Sequence, residues 1–297
     1  MATPAQWIEG ARPRTLPAAV APVIAGTAVA VWEREAVWWK AALALLVSLL
    51  LQVGVNYAND YSDGIRGTDD DRVGPLRLVG SGVASPGAVK RAAFGALAAA
   101  AAAGLVLAAT TAWWLVLVGL LCVLAAWFYT GGSRPYGYMG LGEVMVFVFF
   151  GLVAVVGTTY VQTGTFALPA LYAAVGIGAI TCALLVANNL RDIPTDKGSG
   201  KRTLAVVLGD ERTRMLYVLL LGLALVALVG VAATTTWWAL LGLVALLPAR
   251  RAVGTVLGER AEGPALVPVL QQTGAIDLLY AIGLAAGLVI GVVRATV

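Results

Sequence analysis

The sequence predicts an all-α polytopic membrane protein of about nine transmembrane helices, with two Asp-rich loops on one face. Three observations predict it. Of 297 residues, 60% are hydrophobic and 12% charged, against roughly a quarter charged in soluble proteins. The apolar residues gather into runs of about 20, the length a helix needs to cross a bilayer core. Lipid offers no partners to backbone groups, so such runs must be helices.

In chain order the runs cover roughly 15–32, 38–58, 92–111, 113–130, 141–162, 168–190, 212–233, 236–250 and 275–294. No linker or composition shift divides them, so residues 1–297 are expected to form a single membrane domain. Glu9 interrupts the basic N-terminal region and no small-residue cleavage site follows the first run, so the first helix is expected to stay attached. Of the twenty Lys and Arg residues only Arg34, Lys40 and Arg294 fall on one side of this map; the other seventeen lie on the opposite side. The positive-inside bias then makes the N-terminus and the loops 59–91, 131–140, 191–211 and 251–274 cytoplasmic and the C-terminus external. Trp32, Trp38, Trp39, Trp113, Trp114, Trp237 and Trp238 lie at the expected outer ends, where indole rings favour the headgroup layer.

Histidine is absent, which excludes imidazole haem ligands, His-containing zinc sites and Ser-His nucleophile pairs. Cys122 and Cys182 sit inside apolar runs without CxxC spacing and read as buried small hydrophobes.

The outer loops are minimal ("EREA", "TA", "TTT"), whereas two inner loops are long and polar. The first begins "VNYANDYSDGIRGTDDDR". Asn56, Asn59, Asp60 and Asp63 have i, i+3, i+4 and i+7 spacing, which puts all four on one helical face; Gly64 is suited to end that helix. Asn56 and Asp60 recur 132 positions later as Asn188 and Asp192, which suggests two related halves. There Pro194 disfavours a helical Ile193, so the helix is expected to end or kink near Asp192, leaving Asp196 to loop geometry.

Asn carbonyls and Asp carboxylates are hard oxygen donors of the kind that hold Mg²⁺, which shares its shell with water and substrate phosphate. Asp60, Asp63, Asp192 and Asp196 carry four negative charges, which two Mg²⁺ would cancel. A diphosphate would then need further cations, for which Arg66, Arg72, Arg77, Arg134, Lys197, Lys201 and Arg202 are candidates. The same basic residues are equally explained by the positive-inside bias. Solvated loops are the plain alternative; matched Asn/Asp stripes at two equivalent helix ends weigh against it. For Asp69, Asp70 and Asp71 solvation of two of the three is the better explanation. "YTGGSRPYGYMGLGE" brings Tyr129, Arg134, Tyr138 and Glu143 to the inner ends of two helices, although a Gly- and Pro-rich turn is expected at any tight connection. A secondary transporter would place polar groups near the midplane on broken helices, whereas these carboxylates sit at helix ends.

These residues resemble the UbiA superfamily of intramembrane prenyltransferases along nearly the whole chain. "ARPRTLPAAVAPVIAGTA", "NYANDYSDGIRGTDDDRVGPLRLVGSG", "YTGGSRPYGYMGLGEVMVFVFFGLVAVVGTTYVQTG" and "NNLRDIPTDKGSGKRTLAVVLG" carry the likeness. "YTGG", "GLGE" and "RDIPTDKxxGKRT" point to the branch that prenylates dihydroxynaphthoate. The family's first motif, NxxxDxxxD, is met by Asn59 and Asp63 while Gly67 takes its last place, with Asp69 as a stand-in; Asp192 and Asp196 meet the second motif. The resemblance implies nine helices around a central cavity open to the cytoplasm and, by a lateral portal, to lipid. It also implies transfer of a polyprenyl group from an allylic diphosphate to 1,4-dihydroxy-2-naphthoate in menaquinone biosynthesis, with loss of CO₂ and diphosphate. Another acceptor such as 4-hydroxybenzoate is the alternative. Asn56, Asn59, Asp60, Asp63, Asp69, Asn188, Asp192 and Asp196 are then the expected ligands of two Mg²⁺. Arg66, Arg72, Arg77, Arg134, Tyr138, Lys197, Lys201 and Arg202 are expected on the diphosphate. Catalysis falls to Asp63, Asp192, Arg134 and Glu143, with Tyr129, Trp127 or Tyr138 sheltering an allylic cation. The expected partners are the two substrates and the bilayer, with no nucleic acid.

Overall fold

The computed structural model describes residues 2–67 and 76–296. Asp69, Asp70, Asp71 and Arg72 lie outside the described residues. Every regular element among those described is helical.

The chain enters on α1 (Pro4–Gly10), closed by a capping box in which Thr3 and Gln6 bond each other's backbone. Arg12 takes the left-handed conformation at φ 55°, and the 3₁₀ turn Pro13–Thr15 leads into α2 (Pro17–Trp32) across a bend of 52°. The principal elements that follow are α3 (Trp38–Gly64), α4 (Pro86–Thr110), α5 (Leu115–Phe128), α6 (Gly142–Thr163) and α7 (Leu168–Gly198). The short α8 (Leu204–Leu208), α9 (Asp210–Thr234), α10 (Trp237–Gly258) and α11 (Gly263–Thr296) complete the chain.

Seven of these are long and apolar enough to cross a membrane, and the bent α1–α2 pair makes an eighth. The expected fourth span is α5, an apolar helix of only 14 residues, or about 21 Å at 1.5 Å per residue. That is short of the roughly 30 Å hydrocarbon core. Trp113 and Trp114 form the turn that precedes it.

Two helix ends differ from expectation. α7 does not stop at Asp192 but runs through Pro194 to Gly198. Asp192, Ile193 and Asp196 around the proline are buried while Pro194 itself is exposed, so packing of this turn holds the helix against the proline's local preference. Asp196 is therefore placed by helical periodicity. α3 does end at Gly64, but the left-handed residue is Gly67 at φ 69°. Gly64 serves packing instead, since a Cβ there would lie 2.5 Å from Val79 Cγ1.

α7 is the central post. It packs on α6, on α9 and on α11, and small residues let backbones touch: a Cβ on Gly151 of α6 would meet Gly178 Cα of α7 at 2.7 Å. α11 lies along α2 and α10, with Gly283 and Gly287 against the backbone near Leu241 and Trp238. A separate cluster of Tyr57, Ala58, Leu78, Val89 and Ala93 joins α3, α4 and the segment before α4, and Tyr57 Oη bonds the Trp7 carbonyl at 2.8 Å. The middle of α6, Phe147–Val156, is wound as a π-helix, a wide turn common at functional sites.

Candidate functional site

The C-terminal end of α3 and the C-terminal part of α7 meet at a polar pocket of about 170 Å³. α3 contributes Asn59 and Asp63; α7 contributes Asn188, Asn189, Asp192 and Asp196. Arg12, Arg77 and Lys201 bring positive charge, and Tyr129, Thr130, Tyr138 and Thr203 complete the polar lining. The side chains hold one another. Tyr138 Oη donates to Asp63 Oδ1, and Lys201 Nζ lies 3.8 Å from the same oxygen and 4.6 Å from the centre of the Tyr138 ring. Thr130 Oγ1 donates to Asn59 Oδ1 at 2.8 Å. Arg191 grips Asp192 with two bonds of 2.7 Å and reaches Asn188 Oδ1 at 2.9 Å, a bidentate geometry that fixes orientation as well as charge.

A cavity of about 1210 Å³ opens from this pocket into the helical bundle. Both volumes share Arg12, Asn59, Arg77, Tyr129, Leu185 and Asn188 as lining, so a polar head-space continues into an apolar chamber. Its walls are largely Leu, Val, Ala and Phe from α3, α4, α5 and α6. α5 packs on α3 and α4. Towards α6 it is tied at its far end by Trp114 against Tyr160 and Phe166, and at its near end by Tyr136 Oη on the Ala125 carbonyl at 2.7 Å. Burial raises the pKa of that tyrosine, so its hydroxyl stays a donor. Between the two ties, Val116, Gly119 and Leu120 of α5 and Phe149, Phe150 and Val153 of α6 line the cavity.

Several residues singled out by sequence are used otherwise. Asp60 is fully buried and lines neither volume; its two oxygens accept the Leu78 and Val79 amides at 2.8 and 3.0 Å. Asn56 faces the apolar cavity and donates to the Ala11 carbonyl at 2.9 Å and Thr15 Oγ1 at 3.0 Å. Arg66 donates to the Thr130 and Gly132 carbonyls and so ties α3 to the following loop. Arg134, Lys197 and Arg202 are exposed and line neither volume. Glu143 is buried beside the site, outside both linings, where it accepts the Asn189 amide at 2.9 Å. Trp127 stacks between Tyr61 and Phe94, away from the pocket. Of the three aromatics expected to shelter a cation, Tyr129 and Tyr138 face the pocket.

Arg12, Arg191 and Asn189 went unnoticed in the sequence. Arg12 precedes a proline just before the first apolar run, and its left-handed backbone turns the chain there. Arg191 adjoins Asp192, and neighbours in sequence do not face each other on an ideal helix, so their pairing had no periodic signal. Asp277, fully buried in α11 and bonded to Thr181 at 3.4 Å, is a further missed carboxyl within a span.

Among the described residues no three acidic, Cys or His side chains close into a metal cage. The donors in the pocket are nevertheless hard oxygens, from three carboxylates and three amides. Such a set fits Mg²⁺ that takes the rest of its shell from water and phosphate oxygens.

Residues 19–266 match the sequence profile of the UbiA prenyltransferase family. The chain is 58% identical over 291 residues to a 1,4-dihydroxy-2-naphthoate octaprenyltransferase of Mycobacterium tuberculosis, covering 98% of this chain and 99% of that one. Its fold is similar to that of a UbiA homolog from Aeropyrum pernix, with TM-score 0.71, 15% identity and coverage of 94% and 98%. It is also similar to a UbiA homolog from Archaeoglobus fulgidus bound to DMAPP and Mg²⁺, with TM-score 0.65, 18% identity and coverage of 96% and 99%.

Proposed function

This chain belongs to the UbiA prenyltransferase family, and from that premise we propose that it transfers a polyprenyl group from an allylic diphosphate to 1,4-dihydroxy-2-naphthoate, a step of menaquinone biosynthesis. The observation that carries the proposal is the polar pocket continuous with a long apolar cavity. An amphiphile with an anionic head and a hydrocarbon tail has the same division.

The diphosphate sits in the polar pocket, where Arg12, Arg77 and Lys201 offset its charge. Asp63, Asp192 and Asp196, with the carbonyls of Asn59 and Asn188, would hold Mg²⁺ there. Bound Mg²⁺ supplies electrostatic stabilisation of the charge that develops on the leaving diphosphate. Arg191 keeps Asp192 turned toward the pocket, and Tyr138 and Lys201 do the same for Asp63. As the allylic C1–O bond breaks, the Tyr129 ring at the junction of the two volumes shelters the cation. The electron-rich naphthol ring attacks from the cavity side. The net reaction forms one carbon–carbon bond to the ring and releases diphosphate and CO₂.

The tail lies in the apolar cavity and reaches lipid between α5 and α6. At roughly 0.8 kcal/mol per buried CH₂, a tail of several isoprene units does not leave the hydrocarbon phase. The pocket faces the cytoplasm, as the distribution of Lys and Arg favours.

The test supplies membranes containing the protein with dihydroxynaphthoate, a long allylic diphosphate and Mg²⁺, and extracts the lipid-soluble product. Prenylated naphthoquinol, recovered as the quinone once air oxidises the extract, is expected, with 4-hydroxybenzoate unreacted in a parallel assay and all turnover lost on exhaustive chelation. Preference for the benzoate, or full turnover without divalent cations, contradicts the proposal.

A further inference from the structure

Asp60 shares the acidic stripe of Asp63 in the sequence but is separated from the pocket in space. It is completely buried, lines neither volume, and commits its two oxygens to the amides of Leu78 and Val79 at 2.8 and 3.0 Å. A buried carboxylate is costly unless hydrogen-bonded and compensated by charge. The two amides provide the bonds, and the Arg12 guanidinium acts on it as the nearby positive charge.

The residue before those amides is Arg77, which lines both the polar pocket and the apolar cavity. The strand of chain that carries it is fitted into a slot. Leu78 is fully buried against α1, where a Cβ on Gly10 would lie 2.6 Å from Leu78 Cδ1, and Val79 packs on Gly64. The Leu78 carbonyl accepts the Ala84 amide at 2.9 Å, closing a turn. With backbone and side chains of residues 78 and 79 fixed, the guanidinium of the adjoining residue has a defined origin.

We propose that Asp60 is a positioning residue for Arg77, holding the 78–79 backbone so that the Arg77 guanidinium is presented to the diphosphate, and that it is not a ligand of the metal. The inference rests on the diphosphate-site reading above. Replacing Asp60 by Asn exchanges one acceptor for an NH₂ facing a backbone N–H, which leaves a buried donor unsatisfied and loosens the segment.

The experiment measures initial rates in membranes while prenyl diphosphate and Mg²⁺ are varied independently, alongside deuterium exchange of the segment. For Asp60→Asn the KM for the prenyl diphosphate should rise about tenfold, the scale of a lost charge-assisted contact, with kcat changed less than about threefold. The Mg²⁺ activation midpoint should stay within about twofold, unlike that of Asp63→Asn, and the Leu78 and Val79 amides should exchange faster. In the Arg77→Ala background the Asp60→Asn change should add no further loss, as coupled residues behave in a double-mutant cycle. A Mg²⁺ midpoint shifted as in Asp63→Asn, additive losses, or unchanged exchange at Leu78 and Val79 overturns the inference. If Asp60→Asn does not accumulate in membranes, Gly10→Ala displaces Leu78 without altering any charge. The same KM rise is then expected, and an unchanged KM overturns the inference. Wild-type turnover of dihydroxynaphthoate in the same preparation reports separately on the reading it rests on.

Discussion

At the residue scale, charge and burial decide which acidic side chains can serve chemistry. Asp63 and Asp192 both line the polar pocket, each held by a partner that orients it. Asparagine at either position keeps the volume and one carbonyl oxygen while removing the charge. Asp63→Asn and Asp192→Asn are therefore expected to lose on the order of 100-fold in rate at saturating Mg²⁺, with membrane accumulation unchanged. Arg134→Ala is the control; Arg134 is exposed and outside both volumes, so its rate should stay within about twofold of the parent. Near-parental rates for both well-inserted Asp variants would remove the pocket as the diphosphate site. Helical spacing made Asn59, Asp63, Asn188 and Asp192 legible in the sequence as a set. It could not separate Asp60 from Asp63, because that division depends on the amides of Leu78 and Val79, eighteen and nineteen positions further on.

At the scale of elements, hydropathy located most of the spans because lipid leaves backbone no alternative to helix. It failed where packing overrides propensity. Pro194 argues for a break, yet Asp192, Ile193 and Asp196 are buried around it and α7 continues to Gly198. The π-wound stretch of α6 and the shortness of α5 leave no mark in an apolar composition. Those two elements flank the gap assigned to the prenyl tail. Gly119 of α5 lines the cavity, and beyond its chain neighbours and the backbone of its own helix no atom lies within 4 Å of where its Cβ would be. Gly119→Trp should fill the gap with an indole, and the effect should grow with tail length. We expect kcat/KM for a long polyprenyl diphosphate to fall at least about tenfold, a packing cost of a kcal/mol or more, while a dimethylallyl donor reacts within about threefold of the parent rate. Equal losses for short and long donors would mean that the tail does not pass between α5 and α6.

At the scale of the whole molecule, the polar pocket and the charge map fall on one face. The pocket is formed toward the C-terminal ends of α3 and α7, the same face to which seventeen of the twenty Lys and Arg residues map. Exposed Trp38, Trp39, Trp113, Trp114, Trp237 and Trp238 occupy the opposite ends of their helices. Because short loops rich in Lys and Arg stay cytoplasmic as a rule, we propose that this face is the cytoplasmic one, where released diphosphate meets water and Mg²⁺ without crossing lipid. Orientation can be read by cysteine labelling, because Cys182 is buried and Cys122 only partly accessible, both within apolar helices. Ser133→Cys places a thiol in the exposed turn between α5 and α6, and Thr165→Cys places one in the exposed turn between α6 and α7, at the other membrane face. In intact cells a membrane-impermeant maleimide should label Thr165→Cys fully and leave Ser133→Cys unlabelled until the membrane is opened. The reverse pattern would put the pocket outside the cell and overturn the cytoplasmic assignment, whatever the chemistry performed in the pocket.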